Sequence, residues 1–400
     1  MWKWTNDKNI KAIILDLDSL SQEYISYPFE QKIKIYEVSK NKINHKNSKH
    51  IQIEYVDCVE LLYSILQETS FDSTELIAIS SDSYFLKEMM QNHIGTIYAG
   101  NIDTEKLKHA PDFSNKNLNR ILTKDYVGYA AEALLIENCE SLKKVLLQCN
   151  SQIILSDGIS KNIQLIFGGR YYPLSREYLI DDPLSVVIRD FKFKYNNKVD
   201  IYYDSALCLL MNHNDIDILT YVPQKPMQIT EKKFNRFASL ELKNTSKTGL
   251  ELESIIKCTK DFTQKQNDAY HRSENVKNAF ELTADVSNKT IVVLDDIYST
   301  GATINEIGKL LYENGAKKVI AVFLAVNQMT ESVSQQFQHI ICPVCGHNMK
   351  LKISSKGKLF FGCNNYPNCT YSLNCSEGLN QLKQVNSLRI KDILDLEDIY

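Results

Sequence analysis

The chain lacks the features of membrane and secreted proteins. No apolar run reaches the roughly 20 residues that a membrane-spanning helix needs. The N-terminal residues Met-Trp-Lys-Trp-Thr-Asn-Asp-Lys lack the apolar segment of a secretory signal. We therefore expect a cytoplasmic protein without membrane contact.

A large excess of one charge is also missing. The 46 Lys and Arg residues nearly balance the 49 Asp and Glu residues, which gives a net charge of -3. This balance excludes a protein that coats a polyanion over its whole surface, so any nucleic-acid contact must be local.

The cysteine pattern is not that of a disulfide framework. Of ten cysteines, five stand singly, at positions 58, 139, 149, 208 and 258, and five cluster near the C-terminal end. This distribution indicates one metal site and reduced core thiols. Because 400 residues with 44% hydrophobic content can bury two or three cores, we expect more than one domain.

The strongest local signal is the run Ile291-Val-Val-Leu-Asp-Asp-Ile-Tyr-Ser-Thr-Gly-Ala-Thr303. Its first four residues predict a buried strand, and the apolar spacing after residue 303 predicts a helix that ends before Gly315. Unpaired N–H groups at a helix N-terminus, at the positive end of its dipole, let a loop of small residues hold a phosphate. Asp295 and Asp296 suit vicinal sugar hydroxyls or Mg²⁺. The run therefore predicts a site for a ribose 5-phosphate.

This run resembles the signature with which type I phosphoribosyltransferases bind phosphoribosyl pyrophosphate (PRPP). The resemblance implies that Asp295 and Asp296 hold the ribose hydroxyls. It also implies that the loop holds the 5-phosphate through Ser299, Thr300, Gly301, Ala302 and Thr303. The alternative is an ordinary strand-to-helix turn with a capping threonine.

The order of features from about residue 168 to 327 resembles the ComF branch of phosphoribosyltransferases. Residues 182–192 look like the helix and basic residue that open that domain, and residues 233–240 look like its Arg-Gly-Phe-Asn segment, with Lys232-Lys233 in place of Arg-Gly. Residues 218–226 look like its strand and proline-containing loop, which implies that Lys225 faces the pyrophosphate. Residues 265–280 match its Gln, Arg, Asn and Ala-Phe pattern, which implies that Arg272 closes over the site as a catalytic residue.

Two further segments, near the N-terminus, resemble haloacid-dehalogenase-like (HAD-like) phosphatases. Asp16 and Asp18 follow an apolar strand, and the resemblance implies that the first attacks phosphorus and the second protonates the leaving group. Ser80 and Ser81 end a second predicted strand and are the candidates for holding the phosphoryl group. Members of that family also need a lysine and a second acidic pair on later loops, and this sequence has neither in a recognisable motif. A Rossmann-like domain without catalysis and a flavodoxin-like regulatory domain remain the alternatives.

Paired cysteines near the C-terminal end predict a tetrahedral structural Zn²⁺ site. Cys342 and Cys345 form one pair, and Cys363 and Cys369 form the other. The pattern resembles the zinc ribbons of bacterial type I topoisomerases. Lysines and aromatic residues in 338–375 favour weak contact with single-stranded nucleic acid. A purely structural or protein-docking ribbon is the alternative.

The predicted fold class is α/β, with two Rossmann-like parallel-sheet domains and a small zinc ribbon. The predicted regions are a HAD-like domain at 1–113, a helical connector at 114–160, a phosphoribosyltransferase domain at 161–335, the ribbon at 338–375 and an acidic tail at 376–400. The predicted function is Mg²⁺-dependent phosphoribosyl transfer from PRPP, with phosphatase trimming of the product by the N-terminal domain. The alternative is a PRPP- or nucleotide-sensing regulatory protein whose ribbon contacts nucleic acid or a protein. The acceptor and the oligomeric state stay open.

Overall fold

The structure is a computed structural model that describes residues 10–26, 28–29, 32–41, 49–52, 61, 65, 75–91, 94–100, 110–114, 126–135, 143–173, 182–262, 269–328, 340–354, 359–374, 377–378 and 381. Among these residues, no helix has the length and apolar character to cross a membrane. The predicted acidic tail, 376–400, lies almost entirely outside the described residues.

The N-terminal part of the chain forms a six-stranded parallel sheet. Its strands are β1 (Ala12–Asp16), β2 (Lys34–Ser39), β3 (Lys49–Gln52), β4 (Leu76–Ser80), β5 (Gly95–Tyr98) and β6 (Phe113–Ser114). Among the described residues of this part, the helices are α1 (Gln22–Ile25) and α2 (Ser83–Gln91). Strands β1 and β4 are buried along their whole length, as expected where both faces of a parallel sheet are covered. The strand order β3-β2-β1-β4-β5-β6 reverses between β1 and β4, the position where open α/β sheets bind ligands.

A short connecting unit follows this sheet. It contains β7 (Tyr126–Tyr129), α3 (Ala130–Ala133) and β8 (Lys143–Val145), and β7 pairs with β8 in parallel.

A seven-stranded sheet forms the second α/β unit. From residue 147 onwards the strands are β9 (Leu147–Ile154), β10 (Ser160–Phe167), β11 (Arg170–Tyr171), β12 (Ile218–Tyr221), β13 (Leu252–Glu253), β14 (Ile256–Cys258), β15 (Phe280–Leu282), β16 (Thr290–Tyr298) and β17 (Lys318–Asn327). The helices are α4 (Pro183–Phe191), α5 (Asn197–Met211), α6 (Pro226–Thr230), α7 (Lys243–Ser246), α8 (Ala269–Val276) and α9 (Ala302–Glu313).

The seven strands follow the order β13-β12-β16-β17-β10-β9, and β11 also pairs with β17. All of these pairs are parallel except β9 with β10. Strands β14 and β15 form a separate antiparallel pair. The central strands β16 and β17 consist almost entirely of buried residues, as expected for the middle of a sheet that is covered on both faces. The C-terminal residues of β16 lie where this buried strand ends.

The region predicted as a helical connector, 114–160, contains strands as well as α3. Residues 147–154 form β9, an edge strand of the second sheet, rather than a helix. Side chains along β9 alternate between buried and exposed, with Leu147, Cys149, Ser151 and Ile153 facing inward. This period of two is the strand pattern, and the apolar run before residue 148 hid it.

A buried ionic cluster joins the two sheets. Arg170 in β11 is 1% exposed and forms ion pairs with Asp112 at 2.8 Å and with Glu132 at 2.9 Å. Asp112 also accepts hydrogen bonds from the backbone N–H and the hydroxyl of Thr96 in β5. Nearby, the backbone N–H of Ala110 donates to the side-chain oxygen of Gln328. These contacts fix the edge of the first sheet against the second.

The C-terminal described residues form an antiparallel ribbon. Its strands are β18 (Met349–Ile353), β19 (Leu359–Cys363) and β20 (Ser372–Asn374), paired in that order. Its small core contains Ile340, Met349 and Phe361 together with three cysteines. A core of this size rarely stabilises a fold without a metal.

Candidate active site

The loop between β16 and α9 has the geometry of an anion site. Gly301 precedes α9 with φ +80°, a conformation that residues with a Cβ rarely adopt. A Cβ at this position would lie 2.6 Å from the Tyr298 hydroxyl oxygen, so close packing also requires glycine. The backbone N–H of Asn305 donates to the Gly301 carbonyl, so the hydrogen bonding of α9 begins at Gly301.

The acidic pair lies at the carboxyl end of β16. The predicted strand ended at Leu294, whereas β16 continues to Tyr298 and contains both Asp295 and Asp296. Both aspartates are buried. The backbone N–H of Asp296 donates to Asp295 Oδ1 at 2.9 Å, and the backbone N–H of Ile297 donates to Asp296 Oδ1 at 2.9 Å. These bonds fix both carboxylates.

Two cations lie against Asp296. Arg236 Nη2 is 3.1 Å from Asp296 Oδ2, and Lys192 Nζ is 3.9 Å from the same oxygen. Lys192 follows α4, at the end of the segment 182–192 that the sequence placed at the opening of the domain. The Arg236 contact was missed, because nothing in the sequence brings residue 236 to residue 296. The only available signal was an arginine in the basic segment after the proline-containing loop.

The two carboxylates differ in charge in the ligand-free site. Burial, followed by the negative charge of Asp296, raises the pKa of Asp295 to about 8. Burial also acts to raise the pKa of Asp296, but the positive charges of Arg236 and Lys192 outweigh it and lower that pKa. At neutral pH, Asp296 is ionised and Asp295 is mostly protonated. The pair therefore offers a carboxylate acceptor beside a carboxyl group that can donate a hydrogen bond.

Lys225 lies against Phe262, and its contact with the pyrophosphate stays a prediction. Its ammonium group donates to the Phe262 carbonyl oxygen and lies 3.9 Å from the centroid of the Phe262 ring. Burial lowers its pKa. The structure therefore directs Lys225 toward the segment that follows β14, and the described cations at the acidic pair are Lys192 and Arg236.

Arg272 lies in α8, between β14 and β15. The position of its side chain lies outside what the structure describes. Its role in closing the site therefore stays a prediction.

The predicted phosphatase residues lie near the switch point of the first sheet. Asp16 is buried at the end of β1, and its Oδ2 accepts hydrogen bonds from the hydroxyls of Ser19 and Ser80, both at 2.6 Å. Ser81 instead donates to the Ala99 carbonyl oxygen, and Asp18 accepts from the backbone N–H of Lys40. The structure thus brings Asp16 and Ser80 into contact and gives Asp18 and Ser81 other partners. Ser19 is a member of this cluster that sequence analysis did not identify.

The predicted zinc ligands converge. The Sγ atoms of Cys342, Cys345, Cys363 and Cys369 all lie within 4.8 Å of one another. Cys363 Sγ also accepts a hydrogen bond from the backbone N–H of Asn365, an outer contact typical of metal ligands. Four sulfur atoms at these separations fit one tetrahedral Zn²⁺.

Two regions of the chain match known protein families. Residues 247–347 match the phosphoribosyl transferase domain, and residues 339–377 match the topoisomerase DNA binding C4 zinc finger. The first region contains the acidic pair and the loop, and the second contains the four cysteines. The resemblance of the first sheet to HAD-like phosphatases lies outside these regions and stays a prediction.

Several curated proteins share part of this sequence. The chain is 28% identical over 146 residues to the DNA utilization protein YhgH of Escherichia coli O157:H7 and 27% identical over 150 residues to competence protein F of Haemophilus influenzae. Both alignments cover 34% of this chain, and they cover 64% and 66% of the two relatives. The chain is also 30% identical over 107 residues to a ribose-phosphate pyrophosphokinase of Sulfolobus acidocaldarius, which covers 27% of this chain and 36% of the relative.

The chain thus spans less than two thirds of the length of each of these relatives. The matched family region, 247–347, contains β16 and its loop, and the N-terminal sheet lies outside it. This protein therefore carries a phosphoribosyltransferase-type domain followed by a topoisomerase-type four-Cys zinc ribbon, and YhgH and competence protein F are homologues of it.

Proposed function

We propose that this protein transfers the phosphoribosyl group of PRPP to a nitrogenous acceptor in a Mg²⁺-dependent reaction. The observation that carries this proposal is the buried pair Asp295–Asp296 at the end of β16, next to a glycine-capped helix start. A ribose 5-phosphate needs both features, because its hydroxyls require fixed acceptors and its phosphate requires backbone N–H groups.

Asp296 and the loop after β16 have different roles in the proposed reaction. The ionised Asp296 accepts a hydrogen bond from a ribose hydroxyl, and its charge stabilises the positive charge that develops on the sugar. The loop from Ser299 to Thr303 holds the 5-phosphate and so fixes C1 of the ribose against the acceptor. A Mg²⁺ ion held at the carboxylate oxygens of Asp295 and Asp296 would supply neutralising charge for the departing pyrophosphate.

Pyrophosphate release tests this proposal. The purified protein is incubated with PRPP, Mg²⁺ and a panel of purine, pyrimidine and other nitrogenous bases, beside a variant with Asp295→Asn and Asp296→Asn. We expect release with at least one acceptor, and its loss in the variant. The alternative function is a PRPP sensor. Binding of PRPP that the double variant loses, without turnover of any acceptor, would favour that sensor.

A second activity is favoured by the contact between Asp16 and Ser80. In this hypothesis the N-terminal sheet hydrolyses a phosphomonoester, with Asp16 as nucleophile and Ser80 holding the phosphoryl oxygens. A phosphatase joined to a transferase draws a reversible transfer forward by removing its product. Hydrolysis of p-nitrophenyl phosphate and nucleoside monophosphates, lost in Asp16→Asn and retained in Asp295→Asn, is the expected result. Equal hydrolysis by wild type and Asp16→Asn would contradict it.

A nucleic-acid contact is favoured by the surface of the ribbon. Tyr366 is 68% exposed, and Lys352 Nζ lies 5.8 Å from the centroid of its ring. An exposed ring beside a lysine suits the stacking of an unpaired base. We expect weak, salt-dependent binding of a fluorescent single-stranded oligonucleotide, reduced by Tyr366→Ala. Binding that is unaffected by this substitution would favour a structural or protein-docking ribbon.

A further inference from the structure

The contact between Arg236 and Asp296 is an ion pair with unused hydrogen-bonding capacity on both sides. Asp296 Oδ2 and Arg236 Nε are buried, and within the described residues neither has a hydrogen-bond partner. The 3.1 Å approach of Arg236 Nη2 therefore brings the charges together without satisfying these two atoms. Buried polar atoms without partners are costly, so this arrangement indicates a ligand that completes them.

The two unsatisfied atoms define the chemistry of that ligand. Asp296 Oδ2 needs a donor, such as a hydroxyl group, and Arg236 Nε needs an acceptor, such as a phosphate oxygen. The two atoms belong to adjacent side chains, so the hydroxyl and the phosphate must be close together on one molecule. A ribose with a diphosphate on C1 has this arrangement, because its C2 hydroxyl neighbours the diphosphate.

Arg236 is also held in a position from which it can serve a ligand. Its guanidinium lies 5.2 Å from the centroid of the Phe237 ring, and its side chain is 27% exposed. A planar guanidinium binds two phosphate oxygens through a fixed fork of N–H groups, whereas the ammonium of a lysine acts as a point charge. Lys225, to which the sequence assigned the pyrophosphate, is engaged by Phe262 instead.

We infer that Arg236 binds the C1 diphosphate of PRPP, in the role that the sequence assigned to Lys225. This inference rests on the proposed function, since it needs PRPP in the site. In the ligand-free protein Arg236 pairs with Asp296. When PRPP binds, the ribose hydroxyl takes the Asp296 oxygen and the guanidinium turns to the diphosphate.

The comparison of two ligands tests this inference. PRPP and ribose 5-phosphate share the 5-phosphate and the ribose hydroxyls, and only PRPP carries the diphosphate. Isothermal titration calorimetry with Mg²⁺ measures the affinity of each variant for both ligands. The ratio of these two affinities is the preference of that variant for PRPP. We expect Arg236→Gln to reduce the affinity for PRPP by about 10- to 100-fold, the range for one charged hydrogen-bonding group. Its affinity for ribose 5-phosphate should change much less, so the preference should fall by a similar factor.

Two further variants complete the design. Arg236→Lys keeps the charge and loses the planar fork, so its preference should lie between those of wild type and Arg236→Gln. Lys194→Met, at an exposed lysine that pairs with Asp190, is the control and should keep the wild-type preference. Thermal melting of each variant shows that it is folded, and Arg236→Lys provides the comparison if Arg236→Gln does not fold.

The outcomes separate this inference from the proposed function. A wild-type protein that binds neither ligand contradicts the proposed function. A wild-type protein that prefers PRPP, with the same preference in Arg236→Gln, overturns the inference and leaves the proposed function standing. Equal loss of both ligands in Arg236→Gln also overturns it, because Arg236 would then act only by positioning Asp296.

Discussion

At the scale of single residues, the acidic pair is the most informative feature of the molecule. Asp295 and Asp296 are neighbours in the same strand, yet their pKa values shift in opposite directions. Burial and the charge of Asp296 raise the pKa of Asp295, whereas Arg236 and Lys192 outweigh burial at Asp296. The sequence predicted both aspartates as ligands of ribose. It did not predict the difference between them, because Arg236 and Lys192 reach Asp296 only through the tertiary fold.

The raised pKa of Asp295 predicts a pH dependence of stability. In the unfolded chain an aspartate releases its proton near pH 4, whereas in the folded protein Asp295 keeps it up to about pH 8. The folded state therefore binds more protons between these values, and the contribution of Asp295 to stability falls as pH rises through this window. Asp295→Asn removes this contribution. We expect the variant to gain thermal stability relative to wild type between pH 5 and pH 8.5, measured by differential scanning calorimetry. A difference in melting temperature between the two proteins that does not change with pH would contradict the raised pKa of Asp295.

Gly301 provides a second prediction at this scale. Gly301→Ala adds a Cβ at positive φ and against the Tyr298 hydroxyl. Gly249→Ala is a matched control, since Gly249 has φ +84° and no atom within 4 Å of the added Cβ. The control should cost about 1 kcal/mol of unfolding free energy from backbone strain alone. Gly301→Ala should cost more than the control in urea unfolding and should weaken ribose 5-phosphate binding. Equal costs with unchanged binding would show that the loop tolerates a side chain.

At the scale of elements, the sequence predicted those with a strong local pattern. Strands β1, β4 and β16 each contain a run of four apolar residues, and α9 has apolar residues at helical spacing, so each was predicted near its observed position. The edge strand β9 was predicted as part of a helical connector. The period of two in its residues was obscured by the apolar run that ends at residue 147.

The ionic cluster at β11 predicts that the two sheets unfold together. Arg170→Met leaves Asp112 and Glu132 buried without their cation, and removing one partner of a buried pair costs about 3–5 kcal/mol. Lys194→Met, which breaks the exposed pair of Lys194 with Asp190, is the control and should have little effect. Urea unfolding followed by circular dichroism measures both. A small effect of Arg170→Met would show that the cluster does not stabilise the junction.

At the scale of the whole molecule, the chain joins modules whose chemistry was visible in the sequence to different degrees. The ribbon and the β16 loop are local motifs, and both lie in regions that match known families. The parallel order of the first sheet confirms the α/β prediction for that region. Its activity was not predictable in the same way, because a sheet of this order supports many functions and the site depends on contacts such as that of Ser19 with Asp16.

The separate core of the ribbon predicts that it is an independent module. Its core cluster contains only residues from 340 onwards. Cys363→Ser, or treatment with a strong chelator, should release one Zn²⁺ per chain and disorder the ribbon, because the metal replaces a large core. The affinity for PRPP should stay the same. Zinc release measured with a chromogenic chelator, beside PRPP calorimetry, checks both parts, and a loss of PRPP affinity with the zinc would show coupling between the modules.

The central claim is that the site at the end of β16 carries out transfer from PRPP. The most direct measurement is ³¹P NMR of PRPP incubated with Mg²⁺, the acceptor panel and either wild type or Asp296→Asn. The account predicts that wild type converts the PRPP resonances to those of pyrophosphate and a ribosyl 5-phosphate product with one acceptor, and that Asp296→Asn does so far more slowly. PRPP that wild type binds but leaves unchanged with every acceptor would contradict the account.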